Sequence, residues 1–505
     1  VMTYPWKMRC FPPKIHKKAT IIRFSLLILL SVPTLIFPNL VGLAQSDPDS
    51  ESSILQSFIQ QSRTNSSHGG ELGLSDWIAL ANDPNTAADH CKWAGIDCSV
   101  SGLITKLDLQ SRGLASPLPT IICSLPSLTH LILANNSYTE AFPAGLFNCT
   151  NLSWLDLSTN RFHGSLPKEA NMWSKLSRLA HLDLNDNLFV GQFPPAIGTE
   201  LLGLEYLSIW NSGFNGFIPD ELGNLTHLEN LTIAWNAYNP NPLPPSLSKL
   251  SNLVWLYCAQ CNLVGPFPSW LPQLQSLQHL DLSGNQLHGS IPTSIFGDKP
   301  WPNIAKIELY ANAFSGPIPA LFGNMSMLTD LDLSSNRFDG SIPLELGKLE
   351  KLSLLNLWNN SLTGHIPEEL GNLTTLETFQ VYQNNLMGTI PQTLGRSGGM
   401  RIFDVSTNFL QGNIPPYLCH GNVLEKLISF ANNLSGSIPE AYGQCDSLKR
   451  LRVHRNRLSG FVPDHMWGLP RLNFLELSYN NLGGTISSTH LSNAIQLTIL
   501  KLSGN

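Results

Sequence analysis

Residues 352–367 read LSLLNLWNNSLTGHIP, which fits the pattern L-x-x-L-x-L-x-x-N-x-L-x-G-x-I-P. The pattern recurs seventeen times between Leu107 and Asn505, usually at a step of 24 residues. Its asparagine stands at Asn136, Asn160, Asn187, Asn236, Asn285, Asn312, Asn336, Asn360, Asn384, Asn408, Asn432, Asn456, Asn480 and Asn505. A period of this length is typical of leucine-rich repeats. Because one unit cannot bury its own leucines, we expect the units to stack into a solenoid.

Within each repeat the leucines alternate, as in the Leu451-x-Val453 step of one unit. Alternation turns these side chains inward and leaves the residues between them on the other face of a strand. The asparagine amide can then bond backbone groups of neighbouring repeats. We therefore predict a plant-type leucine-rich-repeat solenoid of about 24-residue repeats, wound as a right-handed superhelix with a parallel β-sheet on its concave face and an N-terminal cap. Arg112, Ser212 and Cys261 stand where other repeats carry the asparagine.

The chain divides into three parts. Residues 1–45 combine a basic run with an apolar stretch that ends at Ala44, which is typical of a secretory signal peptide. An uncleaved membrane anchor is the alternative interpretation. Residues 46–106 form the expected N-terminal cap, and residues 107–505 form the repeats. Because the chain stops inside a repeat, we expect the last repeats and a C-terminal cap to be missing from it.

Composition excludes several function classes. The net charge is −6 and 13% of the residues are charged, so the overall balance gives no sign of nucleic-acid binding or of electrostatic attraction to membranes. The sequence contains no G-x-S-x-G, no H-E-x-x-H, no phosphate-binding glycine loop and no kinase motif set. We predict that this part of the protein is not an enzyme and uses no cofactor and no metal.

Six of the nine cysteines lie in the repeats and two lie in the cap. We predict a Cys91–Cys98 disulfide in the cap. Cys123 and Cys149 fall in one column of adjacent repeats, as do Cys419 and Cys445. Equivalent positions in stacked units lie about 5 Å apart, which a disulfide bridges. For Cys258 and Cys261, at inward positions of one repeat, we expect buried free thiols, with a bond between them as the alternative.

Ten N-x-S/T sequons support export of the chain through the secretory pathway. They lie at Asn65, Asn135, Asn148, Asn151, Asn224, Asn230, Asn324, Asn359, Asn372 and Asn433. Leucine-rich repeats generate some of these sequons through their own G-N-L-T and N-N-S phrases. The sequons are therefore supportive rather than decisive.

Aromatic residues recur at the outward strand positions that should form the concave face. They are Trp154, Tyr206, Trp210, Trp255, Tyr257, Tyr310, Trp358, Tyr382 and Phe430. A row of rigid aromatic side chains suits an extended peptide ligand, because it buries area at low entropic cost. The alternative is that these rings only shield the inner sheet.

One strand carries an unusual basic cluster. Arg450, Arg452 and His454 occupy its three outward positions, and alternation places the two arginines about 7 Å apart on one face. Two neighbouring guanidinium groups repel each other unless an anion binds, and a carboxylate accepts paired hydrogen bonds from them. We predict an anion site here, with a solvated basic patch or intramolecular pairing as the alternative.

Glu308 and Tyr310 share a face of an earlier strand. The carboxylate of Glu308 could accept hydrogen bonds from a hydroxylated ligand, or it could pair with the neighbouring Lys306. The residues alone do not decide between these two interpretations.

Several phrases together resemble the extracellular part of plant leucine-rich-repeat receptor kinases, above all the HAESA and HAESA-like group of subfamily XI. They are Arg450-Leu-Arg452, the segment around Glu308 and Tyr310, 258–265 (CAQCNLVG), 466–470 (MWGLP), and the cap phrase 91–98 with its C-x-W-x-G-x-x-C spacing. The resemblance covers roughly residues 74–505. Residues 437–443 also resemble the receptors of CEP peptides in the same subfamily.

This resemblance implies a function and partners. In that family the concave face binds a secreted peptide hormone, IDA-like or CEP-like, as an extended chain, and a SERK-type co-receptor docks over its end. The resemblance implies that Arg450 and Arg452 hold the terminal carboxylate and that Glu308 lies near a hydroxyproline pocket. It also implies a plasma-membrane protein with a transmembrane helix and a serine/threonine kinase beyond Asn505. We name His454, Tyr310, Trp358, Tyr382 and Phe430 as further candidate ligand-binding residues.

A secreted leucine-rich-repeat protein similar to polygalacturonase inhibitors is the second candidate. Those proteins are shorter, and nothing in their role calls for paired arginines. We therefore favour the receptor ectodomain.

Overall fold

The leucines of the quoted repeat lie inside the molecule. In the computed structural model, Leu352, Leu355, Leu357 and Leu362 are fully buried and Ile366 is nearly so. The same columns are buried from Leu107 to Leu477, so the apolar core is one continuous ribbon shared by neighbouring repeats. The structure describes residues 48–64, 73–83, 89–115, 117–295 and 301–505, which lie in one unit, Ser46–Asn505.

The outward positions belong to a long sheet. Within the described residues it has eighteen strands: Ile96–Cys98, Ile104–Asp108, His130–Ile132, Trp154–Asp156, His181–Asp183, Tyr206–Ser208, Asn230–Thr232, Trp255–Tyr257, His279–Asp281, Lys306–Glu308, Asp330–Asp332, Leu354–Asn356, Thr378–Gln380, Ile402–Asp404, Lys426–Ile428, Arg450–Arg452, Phe474–Glu476 and Ile499–Lys501. The first strand pairs antiparallel with the second, and every later pairing is parallel. The predicted parallel-sheet solenoid with seventeen repeats is confirmed.

Short strands and helical turns form the rest of each repeat. The short strands are His163–Gly164, Leu188–Phe189, Asn215–Gly216, Ala237–Tyr238, Val264–Gly265, Gln286–Gly289, Ala313–Pro317, Arg337–Asp339, Met387–Thr389, Phe409–Gly412, Asn433–Leu434, Ser459–Phe461 and Asn481–Gly483. The 3-10 helices are His90–Lys92, Thr120–Ser124, Ala144–Asn148, Ser174–Leu176, Asp220–Asn224, Pro245–Lys249, Leu271–Gln273, Thr293–Ile295, Ala320–Asn324, Leu344–Lys348, Glu368–Asn372, Glu440–Gln444 and Asp464–Gly468. The α-helices are Pro48–Thr64, Ser75–Asn82, Ala170–Trp173, Pro195–Glu200 and Ser488–Asn493.

The repeat asparagine joins each unit to the one before it. The Asn336 amide nitrogen donates to Leu309 O at 2.9 Å in the preceding repeat and to Leu333 O and Ser334 O in its own, both at 3.1 Å. Its side-chain oxygen accepts from Phe314 N at 3.0 Å. Each buried amide is thus fully satisfied, and the ladder predicted from the sequence is confirmed.

Arg112 replaces the asparagine in the first repeat for a visible reason. Its guanidinium donates to Ala94 O at 2.7 Å and forms an ion pair with Asp76 at 2.8 Å, and it lies 5.4 Å from the Trp77 ring. The first repeat has no earlier repeat to bond. The long side chain bonds the cap instead, where Trp77 and Trp93 pack with their ring centroids 5.7 Å apart.

The structure contains the three disulfides expected from the sequence, Cys91–Cys98, Cys123–Cys149 and Cys419–Cys445. It also joins Cys258 to Cys261. The favoured expectation of two free thiols is therefore wrong. The strand ends at Tyr257, and the turn that follows brings the two Cα atoms within 5.6 Å, a separation that a disulfide spans.

Some expectations fall outside the described residues. The leader at residues 1–45 and the sequon at Asn65 both do. Among the helices that the structure does describe, none combines the length and the apolar character needed to cross a bilayer.

Candidate functional site

Arg450 and Arg452 begin and end one strand of the concave sheet. Lys426 and Phe474 flank Arg450 on the adjacent strands, and Ile428 and Glu476 flank Arg452. The strand therefore presents both guanidinium groups on the same face, as alternation requires.

Aromatic rings contact both guanidinium groups. The Arg452 carbon Cζ lies 4.6 Å from the Phe430 ring centroid and 5.5 Å from that of Phe474. Arg450 Cζ lies 5.1 Å from the Phe474 centroid. His454 stacks on Phe430 with a centroid distance of 4.5 Å and an interplanar angle of 12°. Cation–π contacts of this kind stabilise a guanidinium without using its hydrogen-bond donors.

The two arginines differ in their acidic partners. Arg452 Nε donates to Glu476 Oε2 at 2.8 Å, so the alternative of intramolecular pairing holds for this residue. Within the described residues, no carboxylate lies within 4 Å of Arg450, which is exposed. Lys501 Nζ lies 3.3 Å from Glu476 Oε1, so Arg452 and Lys501 share this one carboxylate.

Protonation keeps the cluster cationic. Burial tends to raise the pKa of Glu476, but the hydrogen bond from Arg452 and the charges of His454 and Arg452 outweigh it and hold that pKa below the ordinary value. Burial lowers the pKa of His454, more than Glu476 raises it. With Glu476 ionised and His454 neutral, the cations Arg450, Arg452, Lys426 and Lys501 outnumber the carboxylates of Glu476 and Asp404.

Glu308 has a different partner from the one the sequence suggested. Its Oε2 lies 2.7 Å from His279 Nε2 on the preceding strand, whereas Lys306 lies 3.5 Å from Asp330. The alternative pairing with Lys306 is therefore wrong, because side chains on neighbouring strands lie closer than residues two apart on one strand. Tyr310 follows the same strand and is exposed.

His279, Asp281 and Glu308 each offer one ligand atom, and these atoms lie within 4.8 Å of one another. Burial, followed by the charge of Glu308, raises the pKa of Asp281 to about 8. The His279–Glu308 hydrogen bond joins two members of the group, and Ser283 N donates to Asp281 Oδ1 at 2.8 Å. His90 also lies beside Cys91 and Cys98, but those two sulfurs are bonded to each other.

The remaining candidate aromatics lie in separate places on the sheet. Trp358 and Tyr382 stack with a centroid distance of 5.0 Å and an interplanar angle of 3°. Near the N-terminal end Trp154 stacks on His181 at 3.4 Å, and His181 stacks on Tyr206 at 4.0 Å. The N-terminal rings thus pack on one another, which fits the shielding interpretation for that part of the face.

The structure places the candidate residues in a row along the sheet. Arg450, Arg452, His454 and Phe430 form one cluster. Glu308 and Tyr310 lie six strands earlier, about 29 Å away at about 4.8 Å per strand. A binding surface built from all of them would therefore be a long track.

Sequence reasoning missed Phe474, Glu476 and Lys501. The missing signal was the repeat period: the residue 24 positions after Arg452 is Glu476, and the residue 24 positions after Arg450 is Phe474. Placing each strand beside its neighbours would have shown both contacts before any coordinates existed.

Comparison with known proteins agrees with this architecture. Leucine-rich-repeat family models match residues 203–225, 276–297, 327–349, 351–373 and 424–482. The crystal structure of the Arabidopsis receptor kinase HAESA ectodomain with an extended IDA peptide hormone is 38% identical, with a TM-score of 0.83. The match covers 90% of this chain and 73% of that one. The chain belongs to the plant leucine-rich-repeat receptor kinase ectodomains.

Two further relatives are similar to this receptor kinase ectodomain. The structure of HAESA with IDA and the co-receptor SERK1 is 38% identical over 90% of this chain and 74% of that chain, with a TM-score of 0.84. Receptor-like protein kinase 7 of Arabidopsis thaliana is 35% identical over 166 residues, which is 28% of this chain and 17% of the relative. The match thus spans about a sixth of that curated relative. Such ectodomains are extracellular, non-catalytic ligand-binding domains.

Proposed function

We propose that the chain is the peptide-hormone-binding ectodomain of a plant receptor kinase and that Arg450 and Arg452 bind the C-terminal carboxylate of an extended peptide. The observation that carries this proposal is the pair of guanidinium groups on one strand with a surplus of positive charge. Arg450 has no acidic partner among the described residues, and Arg452 uses only Nε for Glu476. Both arginines therefore retain donors for a guest carboxylate.

The rest of the peptide would run along the sheet toward earlier repeats. The distance of about 29 Å to Glu308 corresponds to about nine residues of extended chain at about 3.3 Å each. Trp358 and Tyr382 lie between the two ends and offer ring edges to the peptide. Glu308 stays a candidate for a hydroxylated residue, such as hydroxyproline, which would have to share that carboxylate with His279.

Partners and location follow from the same proposal. The HAESA complex contains the peptide hormone IDA and the co-receptor SERK1, which supports an IDA-like hormone and a SERK-type co-receptor here. A CEP-like hormone stays the alternative, on the resemblance of residues 437–443 alone. We place the protein in the secretory pathway and then at the plasma membrane, facing outward, with a membrane anchor and a kinase supplied by further sequence.

Glycans fit an extracellular location. The sequon residues Asn148, Asn224, Asn324 and Asn372 are exposed, and each is the last residue of a 3-10 helix, away from the concave sheet. Sugars at these four positions would leave the proposed peptide track open.

The test uses paired peptides and paired variants. The IDA peptide and a panel of secreted plant peptides, each as free acid and as amide, are titrated calorimetrically against the full ectodomain. We expect R450A/R452A to weaken binding of the free acid by about 2 to 5 kcal/mol, the range for removing partners of a charged group. Amidation should cost the wild type a similar amount and the double variant little.

R401A is the matched control, because Arg401 is an exposed arginine two strands earlier that pairs with Glu425 at 2.8 Å. It should behave like the wild type. Equal losses on amidation in the wild type and in R450A/R452A would refute the carboxylate assignment.

A further inference from the structure

Arg452 is enclosed more tightly than Arg450. Arg452 Nε donates a hydrogen bond to Glu476 Oε2 at 2.8 Å, and the ring centroids of Phe430 and Phe474 lie 4.6 Å and 5.5 Å from Arg452 Cζ. Its side chain is 28% exposed. In the part of the chain that the structure describes, neither terminal nitrogen of Arg452 has a hydrogen-bond partner.

Glu476 is itself firmly held. Its side chain is 8% exposed, Oε2 also lies 3.3 Å from His454 Nδ1, and Oε1 lies 3.3 Å from Lys501 Nζ. Turning this carboxylate away to admit a peptide would separate a buried anion from its cationic partners Arg452 and Lys501, and removing the partner of a buried charge is strongly destabilising. Glu476 is therefore a fixed part of the site, not a stand-in that the peptide displaces.

The geometry divides the donors of Arg452 into two sets. A guanidinium has five N–H donors, and the single donor on Nε is committed to Glu476. The other four donors lie on the two terminal nitrogens, which can donate two parallel hydrogen bonds to the oxygens of a carboxylate. Without the Nε bond the side chain could rotate between the rings and present a single N–H to the guest.

We propose that Glu476 is a positioning residue, which holds Arg452 by its Nε edge and so reserves its terminal nitrogens for the peptide carboxylate. This inference rests on the proposed function. It adds that recognition of the peptide carboxylate depends on the side-chain length of Glu476 more than on its charge. His454 and Lys501 are the other groups that face Glu476: Lys501 donates to Oε1, and His454 Nδ1 lies 3.3 Å from Oε2.

Two conservative variants separate reach from charge. E476Q keeps the length and an acceptor oxygen but removes the charge, whereas E476D keeps the charge and shortens the side chain by one methylene. The probe is a random peptide library, prepared once with free C-terminal carboxylates and once with amides. The preference of the full ectodomain for free acids is measured by mass spectrometry of the retained peptides.

We expect E476D to lose about tenfold of the free-acid preference, since one oriented charge-assisted bond is lost, and E476Q to stay within about threefold of the wild type. E425D is the matched control, because Glu425 also joins neighbouring strands through Arg401 and Lys449, at 2.8 Å and 2.7 Å. It should retain the full preference.

Three results would overturn the inference. If E476D keeps the preference while E476Q strengthens it, Glu476 acts only as a competing charge. If the wild type itself shows no free-acid preference, the proposed function fails and the inference fails with it. If the wild type and both variants show the same preference for free acids, the role of Glu476 is refuted and the proposed function stands.

Discussion

The N-terminal and C-terminal parts of the concave face use aromatic rings in different ways. Near the N-terminal end, Trp154, His181 and Tyr206 stack on one another at 3.4 Å and 4.0 Å. Near the C-terminal end, Phe430 and Phe474 lie on two sides of the Arg452 guanidinium. Phe474 occupies the first position of its strand, as Trp154, His181 and Tyr206 do in theirs. One column of the sheet therefore holds rings that pack on each other in one region and a ring that contacts cations in the other.

Charge follows the same division. Burial, with a smaller effect from His130, lowers the pKa of His181 to about 3, so the N-terminal stack is neutral at physiological pH. The C-terminal cluster instead places Arg452 and Lys501 against the carboxylate of Glu476, with Arg450 on the same strand as Arg452. A repeat solenoid thus sets the chemistry of each region through the residues that fill a column.

The largest expected effect breaks the N-terminal stack. Replacing Trp154 by Ala should lower the free energy of unfolding by about 3 kcal/mol, because it removes a large ring packed between neighbours. Urea denaturation followed by circular dichroism measures this. Free-acid peptide binding should be unchanged.

Trp235 is the control for that change, because it is 48% exposed. Its replacement by Ala should cost less than about 1 kcal/mol. If the Trp154 variant kept its stability but lost peptide affinity, the two regions would not differ as described.

The next prediction concerns the pH dependence of stability at Asp281, which lies beside Glu308 on the concave sheet. Burial raises the pKa of Asp281 to about 8 from 3.8. Between these pH values the folded protein holds a proton that the unfolded chain has released, so this group's contribution to stability falls as the pH rises. Relative to the wild type, D281N should therefore gain unfolding free energy as the pH rises from about 4 to about 8.

Urea denaturation across that pH range is the measurement. D330N is the control, since Asp330 is less buried and lies 3.5 Å from Lys306, and it should show no such gain. A D281N profile parallel to that of the wild type would contradict the buried-proton account.

The smallest expected effect sharpens the C-terminal side of the comparison. Replacing Phe474 by Ala should weaken free-acid peptide binding by about 1 kcal/mol, since the ring contacts both guanidinium groups. Calorimetry with the peptide of highest affinity measures it. Phe461, which is 69% exposed on a short strand outside the concave sheet, is the control and should have no effect on binding.

The fold was readable from the sequence because one period fixes it. The asparagine column predicts the ladder, and equal positions in neighbouring units predict the Cys123–Cys149 and Cys419–Cys445 bonds. The Cys258–Cys261 bond was not the favoured interpretation, because it depends on how one turn brings two inward positions together.

The candidate site was only partly readable. The sequence places Arg450 and Arg452 on one strand, but Glu476 reaches Arg452 from the next strand and His279 reaches Glu308 from the previous one. These partners depend on side-chain length and direction across strands, which alternation within one strand does not describe. The repeat pattern alone could therefore not predict that Arg452 pairs with a carboxylate and Arg450 does not.

The asparagine ladder has a consequence for evolution. Each unit bonds only its neighbours. A whole unit between Tyr382 and the strand Arg450–Arg452 can therefore be duplicated or lost while the contacts of more distant units stay unchanged. Each such event would lengthen or shorten the track by about 4.8 Å, or about one and a half residues of extended peptide. The number of repeats would then set the length of peptide that fits, independently of the residues that bind its carboxylate.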